Sequence, residues 1–408
     1  MAYQDYYFLH RDGKGSYLLQ HQESGLVAGC PFMGMPGESA YAFSRDYGSV
    51  WYPGQALNWA DFPELADVPF FTIGSCDSLD NYFHRPECQP VWPLLATFAK
   101  QLAYSPSLKI PLPVPPQQQW QYQVPNPHGS WTIPILDLWV DDQGCWLCLR
   151  DGRIVVLNHQ GALIQQYQLP KDSHCLALLD ETPYVACQDG NLYELTGKLP
   201  QAVYDLRPLN QTYYQYLILA LEAGQHHLAV ADACGYLEVI NTELRRQWQH
   251  HEPDHWQSWF LGSDEQTLYQ GHYRGVTAYD LSTGKRQWFQ ALETPVLCGL
   301  VTTDSLIIAC GNRTLYRLGK VPDLKTQEVS VTPFYTSTDI PYCLALAEDR
   351  TSFWLGTHNS RLERLDFTGT VKDDIQLGVG GITAIQAWRE ALYATTGQGI
   401  VVSLQIRD

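Results

Sequence analysis

One fourteen-residue segment, from Gly275 to Trp288, constrains this chain more than any other feature: weaker copies of it recur roughly every 40 residues. It reads GVTAYDLSTGKRQW: a turn, a short apolar strand, a polar turn, then the start of a second strand rich in Gln and aromatics. Seven turns align with its opening: Asp151-Gly152, Asp189-Gly190, Cys234-Gly235, Arg274-Gly275, Asn312-Arg313, Asn359-Ser360 and Gln398-Gly399. Asp, Asn and Gly suit such turns because tight hairpins need φ > 0, which these residues tolerate.

Upstream of each turn lies another pair of apolar strands, such as Leu176–Leu179 with Tyr184–Cys187 and Cys298–Val301 with Leu306–Cys310. Each unit therefore has four strands, a, b, c and d, and no helix. Strand-only repeats of this period stack radially into a β-propeller. The expected fold class is mainly β: a seven-bladed propeller of four-stranded blades over residues 117–408. A small α+β module (1–108) and a Pro-rich linker (109–116) precede it.

The last unit supplies only three strands, Ile382–Ala387, Leu392–Ala394 and Ile400–Ile406. Its missing outer strand has a match upstream of the first blade. Residues 118–123, QQWQYQ, share the pattern of the other d strands, such as Arg246–Gln249 and Arg286–Phe289. Residues 117–124 are therefore expected to close the ring and remove an open sheet edge.

Over residues 117–408 the chain resembles the pyrroloquinoline-quinone-like and WD40-like repeat families. The resemblance is carried by Ala278, Asp280, Thr283, Gly284, Lys285 and Trp288, in the order of the quinoprotein-type repeat. Other copies degrade it: Ile154–Asn158 is followed by Gly161, and Asn191–Leu195 by Gly197-Lys198. The resemblance implies a fold and a habit of binding. It does not imply the quinone, because no set of positions matches the calcium-binding acid and amide residues of the quinone-dependent dehydrogenases.

A net charge of −17, with 26 basic residues and no basic run, disfavours nucleic acid or an anionic membrane surface as partner. Residues 1–20 carry Asp5, Arg11, Asp12 and Lys14 and no apolar core of a secretion signal, and no stretch approaches a membrane span. Eleven cysteines in such a chain point to a reducing, cytoplasmic compartment.

Seven cysteines fall at recurring propeller positions and read as small core residues: Cys175, Cys298 and Cys343 on a strands, and Cys148, Cys187, Cys234 and Cys310 at the ends of b strands. Cys145 and Cys148 have a Cys-x-x-Cys spacing, but on a strand they point to opposite faces and cannot chelate one ion. In the first module Cys30, Cys76, His84 and Cys88 could together hold zinc, though their spacing matches no common knuckle; unpaired structural cysteines are the competing reading. That module also predicts a hairpin of Tyr6–Leu9 and Tyr17–Gln20 around Asp12–Gly15. An amphipathic helix is expected over Trp92–Tyr104, with Leu94, Leu95, Phe98, Leu102 and Ala103 on its apolar side.

No nucleophile elbow or phosphate loop is present in the sequence. The histidines His226, His227, His250, His251 and His255 read as surface residues. The better functional candidate is the end of the ring where the b–c turns and d–a connections converge. Its expected partner-binding residues are Arg150, Asp151, His174, Gln188, Asp189, Tyr214, Trp256, His272, Arg274, Arg313, Tyr342, His358 and Arg361. Arg, Tyr, Trp and His dominate binding hot spots, so the expected function is a protein-binding scaffold or complex subunit. The alternative is an enzyme or small-ligand sensor using the N-terminal Cys/His group or the channel mouth.

Overall fold

The structure, a computed structural model, describes residues 117–125, 133–206, 218–255, 257–323, 328–358, 360–377 and 381–406, together with the backbone of three N-terminal strands. These three are β1 (Tyr6–His10), β2 (Ser16–His21) and β3 (Val27–Pro31), and they form a sheet in that order. The expected hairpin is β1–β2, with Leu9 opposite Leu18. The helix expected at 92–104 and the linker at 109–116 lie outside the described residues.

The remaining strands make seven four-stranded antiparallel sheets, with one outer strand, β4 (Gln118–Gln123), preceding the first blade. Blade 1 is β5 (Ile135–Asp141), β6 (Gly144–Leu149), β7 (Arg153–Leu157) and β8 (Leu163–Gln168). Blade 2 is β9 (Ser173–Leu179), β10 (Thr182–Cys187), β11 (Asn191–Glu194) and β12 (Gln201–Asp205). Blade 3 is β13 (Ile218–Ala223), β14 (His227–Asp232), β15 (Tyr236–Asn241) and β16 (Arg246–His251). Blade 4 is β17 (Phe260–Ser263), β18 (Thr267–His272), β19 (Gly275–Asp280) and β20 (Arg286–Ala291). Blade 5 is β21 (Val296–Val301), β22 (Ser305–Cys310), β23 (Thr314–Gly319) and β24 (Val331–Thr336). Blade 6 is β25 (Pro341–Leu346), β26 (Ser352–Thr357), β27 (Arg361–Asp366) and β28 (Val371–Gln376). Blade 7 is β29 (Ile382–Trp388), β30 (Ala391–Thr396) and β31 (Ile400–Gln405), completed by β4.

The closing strand pairs as the sequence anticipates. Gln123 lies opposite Ile400, Tyr122 opposite Val401 and Trp120 opposite Ser403. Every c–d pair, this one included, carries a register irregularity that bends the outer strand.

Seven apolar cores hold the ring, one between each two adjacent blades. The b and c strands therefore have both faces covered, which is why they read as continuous apolar runs in the sequence. Cys145 and Cys148 illustrate this: Cys145 enters the core between blades 7 and 1, and Cys148 the core between blades 1 and 2. Burial pushes both thiols well above their ordinary pKa, as expected of packing residues rather than reactive ones.

An aromatic on the outer strand ties each of four blades to the next. The indole N–H of Trp120 donates to the His159 carbonyl at 2.8 Å, that of Trp248 to Leu281 at 2.7 Å, and that of Trp288 to Lys320 at 3.0 Å; the Tyr167 hydroxyl donates to Leu195 at 2.8 Å. Two of these rings lie against glycines in the neighbour's c–d turn. A Cβ on Gly161 would fall 2.7 Å from Trp120, and one on Gly284 would fall 2.7 Å from Trp248; both glycines also have positive φ. The Gly and Trp of the repeat thus belong to a contact between blades.

Candidate functional site

Register fixes which end of the ring gathers the turns. Ile135, at the start of an a strand, faces Leu149 at the end of b; Arg153, at the start of c, faces Gln168 at the end of d. The b–c turns and d–a connections therefore share one end. A backbone hydrogen bond secures this in every blade: the N–H just past strand d donates to the last residue of the turn. The pairs are Leu169 to Gly152, Leu206 to Gly190, Glu252 to Gly235, Leu292 to Arg274, Ser337 to Arg313, Leu377 to Ser360 and Val124 to Gly399.

The structure brings Arg150, Asp151, Gln188, Asp189, Arg274, Arg313, His358 and Arg361 to this face at least half-buried or exposed. Tyr214 and Trp256 lie outside the described residues. Three expected contact residues are instead buried: His174, His272 and Tyr342. The reading of the histidines as surface groups is also corrected, because His227 and His255 are buried.

Each burial has a local cause. His272 ends β18 and turns inward, stacked on His255 with ring centroids 4.0 Å apart and on Phe289 at 5.9 Å. Its Nδ1 accepts the Arg274 backbone N–H at 3.3 Å, so Nε2 carries the proton toward Thr277 Oγ1 at 3.0 Å. Burial, then His255 and Arg274, pushes its pKa down to about 2 and keeps the ring neutral. Burial also lowers the pKa of His255, against the pull of Glu252, whose carboxylate lies 3.2 Å from Nε2. His227 is held by Glu222 at 3.1 Å, and Glu222 also accepts Ser263 Oγ from blade 4 at 2.6 Å.

His174 and Tyr342 share a different cause, which the sequence reading missed. In six blades the a–b pairing slips by one residue near the turn-bearing end, and the extra residue is Leu136, His174, Leu219, Leu297, Tyr342 or Thr383. A β-bulge re-aims such a side chain. In blade 4, Trp259 stands just ahead of β17. Leu219, Trp259, Leu297 and Tyr342 pack into one apolar cluster along the inner ends of blades 3 to 6. The inner rim there is an apolar layer rather than a polar mouth.

Most of the expected residues that remain at the surface are charged. Asp151 accepts Arg153 Nε at 2.8 Å. Burial of Asp189 opposes its charge, but hydrogen bonds from Tyr193 and Asn191 outweigh this and hold its pKa low. Arg274 pairs with Asp254 at 2.7 Å. Arg361 grips Asp374 with Nε and NH2 at 2.7 and 2.6 Å, while its NH1 reaches Thr338 Oγ1 at 2.7 Å. Arg313 donates to the Thr338 carbonyl at 3.3 Å, so Thr338 bridges the turns of blades 5 and 6.

The candidate zinc residues fall in the first module. Cys30 sits on β3, described in backbone only, and Cys76, His84 and Cys88 lie outside the described residues. Among the described residues no group of three or more His, Cys, Asp or Glu is placed to hold a metal ion, and no helix is long and apolar enough to cross a membrane.

Fold and site together define a seven-bladed propeller with a polar, arginine-bearing turn face and, along blades 3 to 6, an apolar inner rim. No protein-family profile matches the chain, neither the quinoprotein-like nor the WD40-like repeats included, and no curated protein matches it. Among solved structures it is similar to the computationally designed Ika8 protein, at 14% identity and a TM-score of 0.53, over 68% of this chain and 98% of that one. That likeness is one of fold.

Proposed function

We propose that this chain is a cytoplasmic interaction scaffold, or a subunit of a larger complex, that takes a protein partner on its turn-bearing face. The observation that carries the reading is an arc of arginines. Arg274 and Arg313 sit in the b–c turns of blades 4 and 5, and Arg361 opens the c strand just past the turn of blade 6. Arg274 and Arg313 are exposed. Arginine is enriched at binding hot spots because its fork makes several hydrogen bonds at once. In the turns of blades 2 and 3 the corresponding Asp189 and Asp232 are half-buried and accept hydrogen bonds from their own hairpins, so the arginines of blades 4 to 6 are the long side chains this face offers a partner. The eight described cysteines are thiols rather than disulfides, which accords with a reducing compartment.

Affinity isolation of the intact chain, beside its Arg274→Glu/Arg313→Glu variant, tests this. Both side chains are exposed, so the variant should fold. A stoichiometric protein partner should be recovered with the parent chain and depleted at least about tenfold with the variant. Equal recovery by both would move the contact elsewhere. A chain that elutes alone yet turns over a small molecule would overturn the scaffold reading.

A further inference from the structure

The opposite end of the ring carries an apolar patch that the turn-bearing face does not account for. Leu163 and Ile164, which open β8, are 53% and 54% exposed, and Leu199, in the c–d turn of blade 2, is 79% exposed. The two blades approach each other here, with Gln165 Nε2 3.5 Å from the Gly197 carbonyl. Outer strands are open sheet edges, usually guarded by charge or proline. Arg246, Arg286, Pro333 and the run Lys372-Asp373-Asp374 guard four of the others. β8, LIQQYQ, has neither charge nor proline, and its exposed end is the apolar one.

The path of the chain identifies the occupant. Gln118 pairs opposite Leu404, so the N-terminal residues join the ring at this same end. Two residues on, the Trp120 indole donates to the His159 carbonyl and its ring lies against Gly161. His159 and Gly161 belong to the turn that leads directly into Leu163. The chain therefore enters the ring at the end that carries the patch. Eight Pro-rich residues, 109–116, would reach ~25 Å if extended at the ~3.1 Å per residue of polyproline. Stacked sheets lie about 10 Å apart, so this length spans blades 1 and 2. Immediately before the linker comes the segment whose sequence pattern places Leu94, Leu95, Phe98 and Leu102 on one side.

We infer that residues 92–104 dock their apolar side on Leu163, Ile164 and Leu199, so that the N-terminal module is seated on the rim of blades 1 and 2 and the turn-bearing face stays free. The contact covers an apolar edge that carries neither charge nor proline, so the intact chain does not self-associate there.

A photo-crosslinking residue placed at position 199 of the full-length chain tests this by mass spectrometry, on a mixture of isotopically light and heavy protein. The expected product is an intramolecular link to residues 92–104. It should disappear in Leu95→Glu/Phe98→Glu, where backbone exchange at 163–166 should quicken about tenfold, the change expected on uncovering one large apolar side chain. Because that variant could also disturb its own module, Leu199→Glu supplies the reciprocal readout: exchange over 92–104 should quicken while the propeller keeps its melting temperature. Links between light and heavy chains, links only to other segments, or exchange unchanged in both variants would each overturn the docking.

Discussion

Two interfaces in the ring bury a glutamate at the same strand position, and they resolve the cost differently. Glu238 and Glu363 are each the third residue of a c strand, in blades 3 and 6, and are essentially without solvent exposure. Each meets a tyrosine from the outer strand of the preceding blade, Tyr204 or Tyr335. Each has an arginine beside it. Arg246 Nε lies 2.7 Å from Glu238, the Tyr204 hydroxyl donates to the same carboxylate, and the Tyr236 hydroxyl lies 3.3 Å from it and 2.7 Å from Gln249 Oε1. Burial and then Glu238 push the Tyr204 hydroxyl up to about 12, so it stays a donor.

Around Glu363 the arginine is shared. Arg361 Nε is 3.4 Å away, while its fork closes on Asp374. Glu363 Oε2 is left buried, with no hydrogen-bond partner among the described residues. Burial raises the pKa of Glu363, and the hydrogen bond from Tyr335 and the charge of Arg361 only partly offset it. A buried carboxylate is therefore governed less by having a cation nearby than by whether that cation has another claimant.

The largest effect would break both interfaces together by opening the ring. Deleting residues 1–116 should leave a folded propeller. Deleting 1–126 removes β4 with Trp120 and Tyr122 and should cost on the order of 5 kcal/mol in denaturant melts. Equal stability of the two deletions would refute closure by β4, and with it the premise that all seven interfaces are strained as one body.

Next comes the arginine pair. Arg246→Met strands the charge of Glu238 and should cost about 3 kcal/mol or more. Arg361→Met should cost less than half of that, because its glutamate is already poorly served. Equal losses would sink the comparison.

The third test is pH. Because the folded pKa of Glu363 is raised, the native state holds its proton more tightly than the unfolded chain. The stability linked to that proton is full below the unfolded value near 4.5 and is lost as pH rises through the folded pKa. Glu363→Gln should therefore be more stable than the parent at pH 7 by about 1 kcal/mol and no more stable below pH 4. A parallel offset at every pH would mean that Glu363 does not titrate differently on folding. The smallest effect belongs to Asp374→Asn. It frees the Arg361 fork and should move the titration of Glu363 down, with a stability change within about 0.5 kcal/mol because Asp374 is largely exposed.

Architecture was legible because turns and strand pairs repeat. All seven b–c turns lie where the Gly, Asp and Asn pattern puts them, and β4 spans 118–123 within the expected 117–124. Side-chain fate was less legible. His255 and His272 look like exposed polar residues in a turn-rich stretch, yet they stack inside it, since sequence does not say that a b strand's last side chain turns inward. Tyr342 and His174 were misplaced by a bulge, which moves one residue and leaves no mark on hydrophobic alternation. Glu238 and Glu363 had a readable signal: a charge in the middle of a strand covered on both faces must be buried. The helix expected at 92–104 and the four candidate zinc residues rest on sequence, because their side chains lie outside what the structure describes.

Closure by β4 also sets a schedule during synthesis. β4 leaves the ribosome early, but its partner β31 lies at residues 400–405. At roughly 5–20 residues per second, the gap is about 15–60 s, during which the edge of β4 that pairs with β31 has no partner. For that interval the nascent chain carries an unpaired strand of glutamines and aromatics. The step that seals the last sheet also ends that exposure, so the time spent half-made should govern yield more than the stability of the finished ring.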